Sequence, residues 1–260
     1  MKQLLLKSAL SIILLNFINF SYGQTFTFGT LDSLAMFAGS GELSCIGSCS
    51  ITGNMGTDLG AINGFGTSTI IGNIHNANPT TVQAKVDLQL AYDQIVSIPI
   101  TNAGHAPAFG GGETLNVGVY GILGAGSVGG TLTLDGQTDT NSVFIFRFTG
   151  AFVIGAATNI ILTNGARACN IYWVSEGAAT IGAASIVKGN FIVNNAAIAI
   201  AASVNIEGRL LSTSGAISIN DASLLYLPSC SDPAPIQVPI PDMTCQPDLG
   251  SLSSFVIFSN

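Results

Sequence analysis

Ile171–Asn190 reads IYWVSEGAATIGAASIVKGN, Phe191–Leu210 reads FIVNNAAIAIAASVNIEGRL, and Leu211–Cys230 reads LSTSGAISINDASLLYLPSC. The three segments superimpose at a spacing of about twenty residues, and each is three short strands parted by Gly, Asn or Ser turns. A repeat this short cannot bury its own apolar face, so it must stack on its neighbours. The stretch therefore predicts a β-solenoid.

The same pattern extends upstream with insertions. Residues 131–134, 143–148, 151–154 and 159–162 are alternating or fully apolar strands, bounded by Asp135-Gly136, Thr149-Gly150 and Asn164-Gly165. From Ser50, SITGNMGTDLGAINGFG is again short strands and Gly turns. One segment breaks the β pattern. Asn78-Pro79 offers an N-cap followed by Pro at the first helical position. Ala84, Leu88, Ala91 and Ile95 then recur at helical spacing. A helix over about 79–97 follows, and it must cover an apolar side of the solenoid.

Residues 228–248 are Pro-rich and read as a stiff linker. Leu249-Gly-Ser-Leu-Ser-Ser-Phe255 echoes Leu31-Asp-Ser-Leu-Ala-Met-Phe37. That echo predicts the start of a second, similar domain over 249–260, after a first domain over 24–227. At the other end, Lys2 and Lys7, the apolar run Ala9 to Phe20 and the small-residue site Ser21-Tyr22-Gly23 read as a signal peptide over 1–23. The expected location is extracellular, secreted or at the cell surface.

Only 8% of the 260 residues are charged, and the formal net charge is −7. Seven Lys and Arg are too few to neutralise a run of phosphates, which excludes nucleic acid as a partner. Past residue 24 no run of 18 apolar residues occurs, so membrane insertion is not expected. Five cysteines all lie in the exported part, where disulfides persist. Cys45 and Cys49 are close enough to staple one loop. Cys169, at a coil corner, and Cys230, after the last coil, are the candidate second pair.

Alternation sorts the strands into three faces. In the second strand of each coil, Phe152, Ile154, Ile181, Ile198, Ile200, Ile217 and Ile219 point inward. Outward go Ala151 and Val153, then Ala178, Thr180 and Gly182, then Ala197, Ala199 and Ala201, and last Ala216, Ser218 and Asn220. Stacked about 4.8 Å apart, they make a flat, uncharged surface of small residues. The third strand turns Asn159, Thr163, Lys188, Ser203, Asn205 and Glu207 outward, an ordinary solvated face. The first is bulky on both sides (Ile145, Phe146, Tyr172, Trp173, Phe191, Ile192), which places the helix there.

Catalytic chemistry is missing from the pattern. His75 and His105 lack spaced partners for zinc, no Ser lies in a nucleophile elbow, and the flat face holds no paired carboxylates. Asp135, Asp139 and Asn141 read as a polar turn rather than a calcium loop. Arg147 and Arg209 read as solvent or coil-edge residues. No enzyme activity and no cofactor are expected.

SITGNMGTDLGAINGFG, LAYDQI, GVYGILGAGSVGGTLTLDGQTDTNSVFIFRF, NGARACNIYWVSEGAATIG and EGRLLSTSGAISIN together resemble the microbial ice-binding (antifreeze) protein family, over roughly residues 28–227. The resemblance implies a triangular solenoid with the helix along one side and chain ends out of spatial coil order. The expected fold is thus mainly β: a right-handed, roughly triangular, discontinuous β-solenoid with one long α-helix packed alongside. It also implies that an ice crystal surface is the partner, bound by a flat face of small and hydroxyl residues. The family's Thr-Ala/Gly-x-Thr/Asn pattern is degenerate here: Ser214-Gly215-Ala216-Ile217 and Asn195-Ala196-Ala197-Ile198 match in part, and Ala replaces many Thr. Inhibition of ice growth or recrystallisation of moderate strength is the expected function. The alternative is a structural or adhesive module of a multi-domain surface protein, in line with the linker and the apparent second copy.

Overall fold

The structure is a computed structural model, and it describes residues 28–229. The signal segment, Cys230, most of the linker and the expected second domain lie outside the described residues.

In chain order the strands begin with β1 (Leu34–Ala38), β2 (Leu43–Ile46) and β3 (Ser50–Thr52), then β4 (Asn54–Thr57), β5 (Ile62–Asn63), β6 (Thr69–Ile71) and β7 (Ile74–Asn76). Helix α1 (Pro79–Ser97) comes next. The rest of the stack starts with β8 (Ala108–Gly110), β9 (Glu113–Asn116) and β10 (Gly118–Ile122), followed by β11 (Gly126–Gly129), β12 (Thr131–Asp135) and β13 (Phe144–Phe148). It continues with β14 (Phe152–Ile154), β15 (Asn159–Thr163), β16 (Ile171–Ser175), β17 (Ala179–Ile181) and β18 (Ile186–Val193). It closes with β19 (Ile198–Ile200), β20 (Asn205–Ser212), β21 (Ile217–Asn220) and β22 (Leu224–Tyr226). Named strands pair with one another in parallel, as coils stacked in one direction require.

Three faces result. The helix-side face runs β10-β13-β16-β18-β20-β1-β4-β7, and a separate sheet runs β5-β2-β21-β19-β17-β14-β11-β8. The third face runs β9-β12-β15-β18-β20-β22-β3-β6. β18 and β20 serve two faces because they bend at Gly189 and Gly208. A Cβ on Gly208 would lie 1.8 Å from the Gly189 carbonyl oxygen, so only glycine allows the two backbones to turn the corner together.

Coil order in space departs from chain order. β1 lies between β20 and β4, so the N-terminal coils dock on the last C-terminal one. From the end coil β5–β7, α1 carries the chain along the stack to the opposite end at β8–β10. Asn78 and Thr81 start the helix with a reciprocal capping box: the Asn78 side chain accepts the Thr81 N–H at 3.1 Å, and the Thr81 hydroxyl accepts the Asn78 N–H at 2.9 Å. Pro99 keeps Ile98 extended and stops it. The 19-residue helix is about 29 Å long, and eight stacked strands span about 34 Å. Its buried stripe Ala84, Leu88, Ala91 and Ile95 packs with Phe37, Ile145, Tyr172, Ile192 and Leu211, the outward residues of the helix-side face.

Inside, register aligns one column through Tyr120, Phe146, Trp173, Phe191, Leu210, Met36, Met55 and Ile74. Trp173 stacks on Phe146 at 4.1 Å, and its Nε1 donates to the Lys188 carbonyl at 2.9 Å. Each buried aromatic removes roughly 150–250 Å² from water, so this column dominates the core energetics.

Of the two readings of Arg209, solvent or coil edge, the structure excludes the first: it follows the corner at Gly208, and only 8% of it is exposed. Its guanidinium lies 5.1 Å from the Phe28 ring centre. It donates to the Leu31 carbonyl at 3.3 Å, the Asp32 carbonyl at 2.8 Å and Asn190 Oδ1 at 3.0 Å. Burial pulls its pKa down, against the nearby Asp32 carboxylate. Arg147 is half-buried and donates to the Ile98 carbonyl at 2.7 Å, beside the helix C-terminus.

Candidate functional site

The eight-stranded sheet turns mainly Ala, Ser and Thr outward. Its inward column is Phe109, Val128, Ile154, Ile181, Ile200, Ile219 and Cys45. Cys45 takes the place of an isoleucine, and its bond to Cys49 closes the corner that follows. Cys169 is also disulfide-bonded, while its candidate partner Cys230 lies outside the described residues.

Outward, the register aligns Ala108, Ser127, Val153, Thr180, Ala199, Ser218, Ser44 and Asn63 as one column of eight rungs. A second column, Ala151, Ala178, Ala197, Ala216, Glu42 and Ala61, flanks it. Its carbonyls accept in sequence: Ala178 from Phe152 N–H, Ala197 from Ala179 N–H, Ala216 from Ile198 N–H, Glu42 from Ile217 N–H and Ala61 from Leu43 N–H, all at 2.8–3.0 Å. Gly182, Ala201, Asn220 and Ile46 form the third column. Every rung is thus tied to the next by backbone hydrogen bonds, which holds the surface flat.

Of the eleven residues singled out on this face, Val153, Thr180, Ala199, Ser218 and Asn220 lie in strands of this sheet and the other six directly flank those strands, each exposed or half-buried. Sequence sorting missed the rungs that come from elsewhere in the chain: Ala108, Ser127, Ser44 and Asn63, with Glu42, Ala61 and Ile46 beside them. Glu42-Leu43-Ser44-Cys45-Ile46 carries the same out-in alternation, and that was the available signal. These rungs alter the character of one end. Glu42 brings a carboxylate, hydrogen-bonded by the Asn63 amide at 3.0 Å, and Ile46 is 66% exposed. The β8-to-β21 part of the sheet keeps its outward positions free of charge.

The third face is chemically different. Lys188 pairs with Glu207 at 2.6 Å near Tyr226. Burial works against the Lys188 ammonium, but the Glu207 carboxylate outweighs it and raises the pKa. Asp135 and Asp139 turn back on their own loop, accepting the N–H groups of Gln137 and Asn141 at 2.8 Å. Among the described residues no group of three or more His, Cys, Asp or Glu is placed to hold a metal ion, and no helix is long and apolar enough to cross a membrane.

Comparison with known proteins points one way. The family described as Ice-binding-like matches residues 36–224. An ice-binding protein of Nostoc sp. (strain HG1) is 30% identical over 194 residues, 74% of this chain and 71% of that protein. A crystal structure of an ice binding protein from an Antarctic bacterium of the Flavobacteriaceae superposes with a TM-score of 0.77 at 39% identity, over 80% of this chain and 49% of the other. The chain thus spans about half the length of that relative. One from the Antarctic ascomycete Antarctomyces psychrotrophicus gives 0.74 at 33% identity, over 78% and 98%.

Proposed function

Because the chain belongs to the ice-binding-like family, we propose that it adsorbs to ice crystals through the eight-stranded face and slows their growth or recrystallisation. The eight-rung column from Ala108 to Asn63 carries this reading, with no side chain along it larger than Val or Asn. The mechanism is non-catalytic. Methyl groups and hydroxyls repeat on rungs about 4.8 Å apart and order the first water layer between them. Holding such waters costs about 0–2 kcal/mol each, and a surface already rigid loses little further entropy on adsorption. Alanine has no side-chain rotamers to lose.

Alanine also provides no hydroxyl anchor, and only Thr180, Ser218, Ser44 and Ser127 supply one along the central column. Activity of moderate strength follows. Secretion is part of the reading: the signal-like segment 1–23 supports it, and the Cys45–Cys49 disulfide suits an oxidising compartment.

Ice-affinity partitioning tests the face. Thr180→Tyr and Ala199→Tyr are expected to lose most of their incorporation into a slowly grown ice hemisphere. Stability should stay within about 0.5 kcal/mol of the parent, as for other surface changes. Thr133→Tyr, on the third face, is expected to partition like the parent. If the two tyrosine variants of the eight-stranded face partition as well as the parent, ice is bound elsewhere.

A further inference from the structure

The two ends of the stack are finished differently. At one end the inward residues are Phe109, Leu115 and Tyr120, all buried. The segment after α1 covers them. His105 stacks on Phe109 at 4.1 Å, meets Tyr120 edge-on and reaches Glu113 at 3.2 Å. Asn102 bridges the β10 edge at Tyr120, and the Thr101 and Asn102 N–H groups donate to the Val119 carbonyl.

At the other end the three inward columns stop on isoleucines: Ile62 after Leu43, Ile70 after Ile51, and Ile74 after Met55. Among the described residues no strand pairs with the outer edges of β5, β6 or β7. Ile74 is 50% exposed and the adjacent Ile71 62%. Residues 61–76, AINGFGTSTIIGNIHN, contain no Lys, Arg, Asp, Glu or Pro. Those are the residues that normally blunt an open strand edge.

We propose that this end docks on the same end of a second copy of the chain, in a two-fold, end-to-end dimer. Charge permits that partner at this end. Each chain carries a net −7, yet two copies meeting through this coil bring no formal charge together. The strand edges are self-complementary, because a two-fold axis across the stack sets each copy's edge antiparallel to the other's. Residues 59–76 supply eighteen residues, near the roughly 20–30 a side of a standard interface. With the axis normal to the eight-stranded face, β5 meets its copy and the two sheets join edge to edge. The dimer does not depend on what that face binds.

Light scattering on the chain across a concentration series tests the contact. The mass is expected to rise to twice that of the monomer. Ile71→Lys and Thr69→Lys, which put a charge on the open edge, are expected to stay monomeric and to melt like the parent at dilutions where the parent is itself monomeric. Thr69 is exposed, so its variant reports even if Ile71→Lys fails to fold. Amides of residues 62–76 should lose hydrogen-exchange protection on dilution. A parent that stays monomeric at every concentration, or lysine variants that dimerise like it, overturns the proposal. So does protection of those amides that is indifferent to dilution.

Discussion

Arg209 shows how far a single residue escapes reading in one dimension. Its partners are the carbonyls of Leu31 and Asp32, 178 and 177 positions away, and nothing near it in sequence announces them. It latches the turn Gly29–Ser33 onto β20. Arg209→Ala removes the donor to the buried Asn190 Oδ1, while the Leu31 carbonyl keeps the Leu34 N–H. The expected cost is about 3 kcal/mol in denaturant unfolding, from the orphaned amide oxygen and lost packing on Phe28. The face residues are the opposite case. Thr180 and Ala199 were legible because each sits between two inward apolar residues, Ala179 and Ile181 for the first and Ile198 and Ile200 for the second, and strict alternation fixes the side of the strand.

At the scale of elements, the helix was legible because its signals are local: a cap at Asn78, a stop at Pro99 and an apolar stripe between them. Its tie to the coils was not. Tyr92 on α1 donates to Glu176 after β16, and Glu176 also accepts from Asn194 after β18 at 2.9 Å. Burial, reinforced by the Glu176 carboxylate, pushes the Tyr92 phenol up to about 12. An unfolded tyrosine ionises near about 10. The folded state therefore holds this proton more tightly than the unfolded state. Its contribution to stability is fully present below about pH 10 and is lost as the pH rises towards about 12. Melting temperatures should fall through that window, and Tyr92→Phe should reduce the fall. Burial also raises the pKa of Tyr172 and Tyr120, so part of the alkaline loss will remain in the variant.

For the whole molecule, repeat spacing made the solenoid legible, but not the order in which the coils stack. Strand β1 pairs with β20 across most of the chain, and no turn or cap encodes such a contact. That is why the flat face was read four coils deep from residues 151–220 and stands eight rungs deep in the folded chain. The helix that spans the stack, seen from this side, is a ruler that limits how the molecule can grow. One added coil lengthens the stack by about 4.8 Å, or about three helical residues. Three residues turn the Ala84–Ile95 stripe about 60° away from its face. Two coils need six to seven residues, and seven restore the stripe to within about 20° of its direction. Duplicating two coils together with seven residues of α1 should therefore melt near the parent. A single extra coil with three should melt well below it. A lineage of such chains would lengthen its flat face in even steps, each new pair of rungs arriving with two turns of helix.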